Sequence, residues 1–113
     1  MSEVIPWNEV EEVHRTVAGI AVRDGRVWSL LCNQQKGGKY PDKIEGNRLS
    51  YHVGRYTQRH GKDALQSLVN QPHDVRVFEK LESNRWVDRG LWRLEGVGEQ
   101  TSDGYLPFYF RSV

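Results

Sequence analysis

The sequence predicts a small α+β domain, in which a strongly curved β-sheet or barrel carries one or two short helices. Three observations support this class. Arg48–Val53 and residues 90–97 alternate apolar and polar side chains, as half-buried strands do. Residues 62–70 place four apolar side chains at helical spacing just before Pro72. The chain also has four Trp, five Tyr and three Phe, which suits an aromatic core, and its 113 residues are the length of a single domain, 1–113.

In the first third of the chain, the pattern predicts a short helix followed by a β-hairpin. A helix that begins near Asn8 would place two valines on one face. Residues 26–32 form an apolar run typical of a buried strand. Residues 19–23 are the predicted hairpin partner of that strand, because Asp24-Gly25 between them is a turn signal.

The rest of the chain predicts a long loop, then a sheet interrupted by one helix. Residues 33–47 are polar and contain three glycines, and a connection of about 15 residues exceeds the usual length, which indicates a functional loop. The strand Arg48–Val53 and the helix 62–70 follow. Further strands are predicted at residues 74–81, from 84–87, at 90–97 and at 105–113.

Aromatic and sulfur-containing side chains are expected mainly in the interior. We expect Trp28, Phe78 and Trp92 to be core residues. Cys32 is the only cysteine, so no internal disulfide can form and a buried, unreactive thiol is expected. No apolar run approaches the ~20 residues of a membrane span, and the acidic start is unlike a signal peptide. We therefore expect a soluble, cytoplasmic protein without a membrane partner.

Charge is distributed unevenly along the chain, although the formal net charge is only +1. Residues 1–12 carry four acidic side chains and no basic one, whereas residues 13–62 carry ten Lys or Arg against three acids. Aromatic residues and glycines lie among those cations. A nucleic-acid surface needs cations for phosphates, rings that stack and backbone that can approach closely. The alternative is a basic face that is simply solvated.

Sequence signals for catalysis, metal binding and cofactor binding are absent. The four His and one Cys lack the spacing of zinc ligands. There is no GxSxG nucleophile turn, no GxxxxGK[ST] and no GxGxxG after a strand. We therefore expect a binding module, with no catalytic residue, no metal and no cofactor.

Two short clusters before residue 42 are candidates for the binding site. His14 and Arg15 can both donate to one phosphate, and the alternative is a surface Arg beside a core or capping His. Tyr40 and Pro41 offer two rigid apolar faces with the cation of Lys39 alongside. The alternative for this second cluster is an ordinary turn that Pro initiates.

A third cluster begins in the strand Arg48–Val53 and continues into a basic loop. It contains Tyr51, His52 and Arg55, and Arg59 and His60 follow closely. These side chains would suit the backbone of a nucleic acid. The alternative is an edge strand that charge keeps soluble.

The order of these motifs resembles the PUA/SRA-type superfamily of modified-DNA readers. The resemblance covers residues 12–97. It rests on the His-Arg pair, a Gly-rich loop that ends in Y-x-D, a Y-x-x-G strand, a helix with an Ala-Leu pair, a V-x-V-F-E strand and W-x-x-x-G-x-W. Within the superfamily, the chain looks most like the sulfur-binding domain of phosphorothioate-dependent type IV restriction endonucleases.

That resemblance implies a reader of phosphorothioate in double-stranded DNA, fused to or associated with a nuclease. By this resemblance His14 and Arg15 contact the modified backbone, while Tyr40, Pro41 and Ile44 line an apolar pocket for sulfur. Sulfur is more weakly hydrated than a phosphate oxygen, so an apolar wall would favour it. The full set of predicted DNA-binding residues is His14, Arg15, Lys39, Tyr40, Pro41, Ile44, His52, Arg55 and Arg59.

Two other functions stay open at this stage. The SRA branch of the superfamily takes a flipped modified cytosine into an aromatic pocket, where a carboxylate accepts from the amino group of the base. Tyr40, Asp42 and Tyr51 would serve that purpose here. The third alternative is a PUA-like RNA-binding module or a small protein-interaction domain.

Overall fold

The computed structural model describes residues 3–33, 41–55 and 57–113 and confirms the predicted α+β class. In chain order the elements are β1 (Val4–Ile5), α1 (Trp7–His14), β2 (Ile20–Arg23), β3 (Arg26–Asn33), β4 (Lys43–Glu45), β5 (Arg48–Val53), α2 (Arg59–Ser67), β6 (Val75–Glu82), β7 (Arg85–Val97) and β8 (Leu106–Ser112). In this described part of the chain, neither helix is long and apolar enough to cross a membrane.

The strands form one curled sheet that does not close into a barrel. Its order is β2-β3-β6-β7-β8-β5-β4, and β1 pairs with β7. All pairings are antiparallel except that of β3 with β6. A parallel pair needs a crossover connection, and here β4, β5 and α2 lie within that crossover.

Each helix packs on a different hydrophobic cluster. The larger cluster joins Leu65 of α2 to strand residues such as Val77 and Phe108. The smaller cluster joins Val10 of α1 to Phe78 and Trp86. Val77 and Phe78 are neighbours on β6, and side chains of neighbouring strand residues point to opposite faces. The sheet is therefore covered on both faces where β6 crosses its centre.

The prediction that Trp28 lies in the core is wrong, because a β-bulge turns this side chain outward. Ala21 pairs with Ser29 and Val22 pairs with Val27, which leaves Trp28 as the extra residue on β3. Its side chain is 50% exposed, and the guanidinium carbon of Arg23 lies 4.4 Å from the ring centroid. By contrast, Phe78 and Trp92 are 1% and 2% exposed, as predicted.

Three predicted boundaries also change, each for a local reason. Lys43–Glu45, predicted as loop, pairs with β5 across a turn in which Gly46 has a φ of 59°. Helix α2 begins at Arg59 rather than 62, and Gly61 within it approaches Ile20 so closely that a Cβ would lie 3.1 Å from Ile20 Cδ1. The two predicted strands after residue 84 are one strand, β7.

Candidate functional site

A cavity of about 480 Å³ opens beside the first residue of β2 and the end of β3. This volume lies within the range of ~300–1,000 Å³ typical of ligand pockets. Ile20, Leu31 and Trp86 contribute apolar wall. Asp42 and His52 contribute the polar wall on one side. The cavity therefore combines a largely apolar lining with a few polar groups, as ligand sites do.

Asp42 is the most unusual group in this wall, because it is a carboxylate with only 8% exposure. It immediately precedes β4, and the register of β4 with β5 brings it beside His52. Its Oδ1 accepts a hydrogen bond from the backbone N–H of His52 at 2.7 Å, and the backbone N–H of Asn33 donates to it as well. Burial raises the pKa of the Asp42 carboxyl, and the hydrogen bonds from His52 and Asn33 oppose that rise.

Tyr51 forms the inner part of the cavity and is 5% exposed. A Cβ on Gly19 would lie 3.0 Å from the Tyr51 hydroxyl oxygen, so the phenol packs closely against this residue. Gly19 is fixed in turn because its carbonyl accepts from the backbone N–H of Leu31 at 2.8 Å. This hydrogen bond between Leu31 and Gly19 thereby helps to position the Tyr51 phenol.

The side chain of His52 is 13% exposed and leaves one polar atom unsatisfied. Its Nδ1 is buried without a hydrogen-bond partner, and within residues 3–33, 41–55 and 57–113 no other buried side-chain nitrogen or oxygen lacks one. Nδ1 lies 3.8 Å from Asp42 Oδ1, which is too long for a hydrogen bond. The ring packs edge-to-face on Tyr105, with centroids 6.3 Å apart.

The rim of the cavity carries one exposed apolar side chain, and three exposed arginines lie nearby in the sequence. Val17 lines the cavity and is 83% exposed. Arg15 lies two residues before it, and Arg55 and Arg59 flank the cavity-lining residue Thr57. All three arginines are exposed.

Solved structures with this architecture include several SRA domains. The SRA domain of SUVH5 in complex with hemi-methylated CG DNA has a TM-score of 0.79 and 24% identity, over 98% of this chain and 85% of that one. The same domain bound to fully hydroxymethylated CG DNA has a TM-score of 0.74 and 23% identity, over 98% and 86%. Arabidopsis thaliana SUVH6 in complex with SAM has a TM-score of 0.67 and 24% identity, over 93% of this chain and 23% of that one. No protein-family model and no curated protein sequence matches the chain.

The chain has the SRA fold. This agrees with the predicted SRA-like architecture. The neighbours do not support the narrower resemblance to sulfur-binding domains, since the DNA named with SUVH5 is methylated or hydroxymethylated. Two residues of the alternative base-pocket prediction, Asp42 and Tyr51, line this cavity, whereas Pro41 and Ile44 of the predicted sulfur pocket do not.

His14 lies in the core and does not face the cavity rim with Arg15. It is 1% exposed, its Nε2 donates to the Ala18 carbonyl at 2.6 Å, and its Nδ1 accepts from the Ser29 hydroxyl at 2.6 Å. Burial lowers the pKa of His14, so the ring is neutral and both nitrogens are used inside the chain. The predicted contact of His14 with a DNA phosphate must be corrected to a structural role, whereas Arg15 stays exposed.

The remaining residues of the predicted set are spread over several places. Pro41 is exposed, and Ile44 is half-buried against the larger hydrophobic cluster rather than in the cavity wall. Lys39 and Tyr40 lie outside the described residues. Of the predicted residues that are described, His52 alone lines the cavity. The roles of Arg15, Arg55 and Arg59 stay predictions.

Several cavity residues were missed by sequence reasoning. Val17 and Gly19 belong to the T-V-A-G tetrapeptide after His14-Arg15, and an apolar residue between a basic pair and a glycine was a usable signal. Lys80 and Trp86 come from β6 and β7, far along the chain, and nothing local marks them. Within the described ranges, no group of three or more His, Cys, Asp or Glu could hold a metal ion.

Proposed function

We propose that this chain binds double-stranded DNA that carries a modified cytosine, and that the modified base leaves the stack and enters the cavity beside Asp42. The observation that supports this most is a buried carboxylate in the wall of a base-sized cavity. The SRA domain of SUVH5, which has the same fold, is complexed with methylated and hydroxymethylated CG DNA. The function we propose is therefore the SRA-like alternative that the sequence predicts.

The chemistry of the cavity suits cytosine. An ionised carboxylate only accepts hydrogen bonds, and the exocyclic amino group of cytosine is a donor. Asp42 is oriented for this by the backbone N–H groups of His52 and Asn33. The apolar wall at Ile20 and Leu31 gives a substituent such as a methyl group a dry surface.

Binding to the duplex as a whole would come from the rim. In this proposal the exposed Arg15, Arg55 and Arg59 contact phosphates on either side of the extruded nucleotide. Contacts of this kind bind any sequence and weaken as salt displaces them. The cavity then adds discrimination, for which a well-formed contact to a base edge contributes ~1–3 kcal/mol.

Val17 is the candidate to occupy the space that the extruded base leaves. Apolar side chains that enter a groove can wedge between base steps and support an unstacked nucleotide. Val17 is 83% exposed at the rim, which has no benefit for the isolated domain. Its exposure is therefore consistent with a role that appears on the DNA complex.

The test is a binding panel on duplexes of one sequence that differ at one nucleotide. The arms carry 5-methylcytosine, unmodified cytosine, a phosphorothioate linkage, or the same sequence as duplex RNA. We expect a preference of about 5- to 150-fold for the methylated arm, which matches ~1–3 kcal/mol. We also expect the affinity, but not the preference, to fall steeply with salt.

The other arms identify the competing functions. A selective gain on the phosphorothioate arm would favour the sulfur-binding prediction, and a preference for RNA would favour a PUA-like module. A fluorescent base analogue beside the methylated cytosine should brighten on binding, because extrusion unstacks its neighbour. Equal affinity for methylated and unmodified DNA at every salt concentration would contradict the proposal.

A further inference from the structure

The contact between His52 and Asp42 is incomplete. The His52 Nδ1 is buried and unsatisfied, yet an acceptor, Asp42 Oδ1, lies 3.8 Å away. Protein hydrogen bonds of this kind have donor–acceptor distances near 2.9 Å, so a movement of about 1 Å would complete the bond. Buried polar atoms rarely stay without a partner. An unsatisfied atom in the wall of a cavity therefore points to a contact that forms only when the cavity is filled.

Resting on the function proposed above, we infer that His52 is a positioning residue, whose Nδ1–H donates to Asp42 when a base occupies the cavity and keeps that carboxylate an ionised acceptor. The target class is then a base with an exocyclic amino group, such as a cytosine modified at C5. A keto base such as thymine would bind poorly, because its oxygen would face an acceptor.

The reason that Asp42 needs such a partner is its burial. Burial raises the pKa of the carboxyl, so without support a fraction of Asp42 would be protonated as the pH falls. A protonated carboxyl can donate as well as accept, and it could then bind the keto oxygen of thymine. An Nδ1–H of His52 that donates to Asp42 would oppose this, because a hydrogen bond to the ionised carboxylate favours that form.

The other titratable groups around this pair come from the elements packed on it. His60 of α2 and Lys80 of β6 line the same cavity, the Tyr105 ring lies against His52, and the buried Cys32 thiol on β3 is close enough for Asp42 to raise its pKa. Among the titratable groups described here, His52 places a ring nitrogen within 4 Å of the Asp42 carboxylate. It is therefore the group best placed to control the charge of Asp42.

The experiment measures binding of the full chain to duplexes that carry either 5-methylcytosine or thymine opposite an abasic site, so that neither base must break a pair. Affinities are compared from pH 8 to pH 5 for the unaltered chain, His52→Phe and His52→Asn. The Asn side-chain amide can place a donor where Nδ1 was, whereas Phe cannot. We expect the unaltered chain to keep its preference for 5-methylcytosine throughout, and His52→Phe to lose it at least fivefold towards pH 5. His52→Asn should retain most of it.

Failure of this inference can be told apart from failure of the proposed function. If His52→Phe keeps both the preference and its flat pH profile, His52 does not act through Asp42. If the unaltered chain shows no preference for 5-methylcytosine, the proposed function itself is wrong. Should His52→Phe not fold, the ring ¹⁵N shifts of the unaltered chain give the answer. We expect a protonated, hydrogen-bonded Nδ1 in the complex with methylated DNA, and an unprotonated Nδ1 there would overturn the inference.

Discussion

The buried His14 and the partly buried His52 differ in how their ring nitrogens are used. His14 uses both ring nitrogens inside the chain, on Ser29 and Ala18, at 2.6 Å each. His52 leaves Nδ1 unsatisfied, 3.8 Å from Asp42. A polar side chain whose hydrogen bonds are complete stabilises the fold, whereas one with an unused donor beside a cavity can form a further contact when the cavity is filled. The hydrogen bonds of the two rings therefore distinguish their roles.

The position of His14 explains why a His next to the rim is structural. Its two bonds tie the end of α1 to β3 and to the segment that precedes β2. That segment contains Val17 and Gly19, which line the cavity. His14 thus helps to position these cavity residues, although it does not line the cavity itself. Arg15, the next residue, is exposed at the C-cap of α1 with a φ of 59°.

The largest expected effect that tests this comparison is on stability. His14→Ala removes a fully buried ring and leaves Ser29 and the Ala18 carbonyl without their partner, which should cost ~2–4 kcal/mol of unfolding free energy. His52→Ala should cost less, because one of the nitrogens it removes is already unsatisfied. Urea denaturation of the two variants measures the difference. A larger loss for His52→Ala would reverse the assignment of roles.

The second largest expected effect is on binding, and it concerns Asp42, the carboxylate beside His52. Asp42→Asn keeps an acceptor for the backbone N–H of His52 but places an amide donor in the wall. We expect the preference for 5-methylcytosine over thymine to fall by about 5- to 150-fold, or ~1–3 kcal/mol. Competition binding with the two abasic-opposed duplexes measures it.

A matched control separates this effect from net charge. Asp103→Asn makes the same change in charge at an exposed turn between β7 and β8, and it should leave the preference unchanged. Stability should not fall in Asp42→Asn, since the raised pKa of Asp42 means that its ionised form is disfavoured by folding. Equal loss of preference in both variants would mean that Asp42 does not read the base.

The local parts of the fold could be predicted from the sequence because periodicity reports them. The alternation of Arg48–Val53 and the helical spacing around Leu65 depend on neighbours in the chain, and both elements are present. The outward turn of Trp28 could not be predicted in this way. A bulge adds one residue to one strand and reverses the alternation from there, and no residue type in 26–33 marks it.

The candidate site was only partly predictable, for a related reason. Asp42 and Tyr51 lie in short motifs, and both belong to the alternative prediction of a base pocket. The core position of His14 depends on Ser29, fifteen residues away, so a His-Arg pair looks the same in sequence whether it binds phosphate or packs inside. Lys80 and Trp86 reach the cavity only through the pairing of β6 with β3 and β7.

The smallest expected effect is the pH dependence of stability, to which His14 and Asp42, the neighbour of His52, contribute with opposite sign. The folded-state pKa of His14 is lowered from 6.5, so His14 contributes stability above that value, and the contribution is lost as the pH falls through the folded pKa. The folded-state pKa of Asp42 is raised, so its contribution is present at low pH and is lost as the pH rises through the folded pKa. The His14 contribution to the loss between pH 7 and pH 5 should be at most ~2 kcal/mol. Between pH 7 and pH 5 the urea midpoint should fall less in His14→Gln, because the Gln amide does not titrate but can still donate to Ala18. An unchanged pH dependence of the midpoint in that variant would show that His14 is not the group responsible.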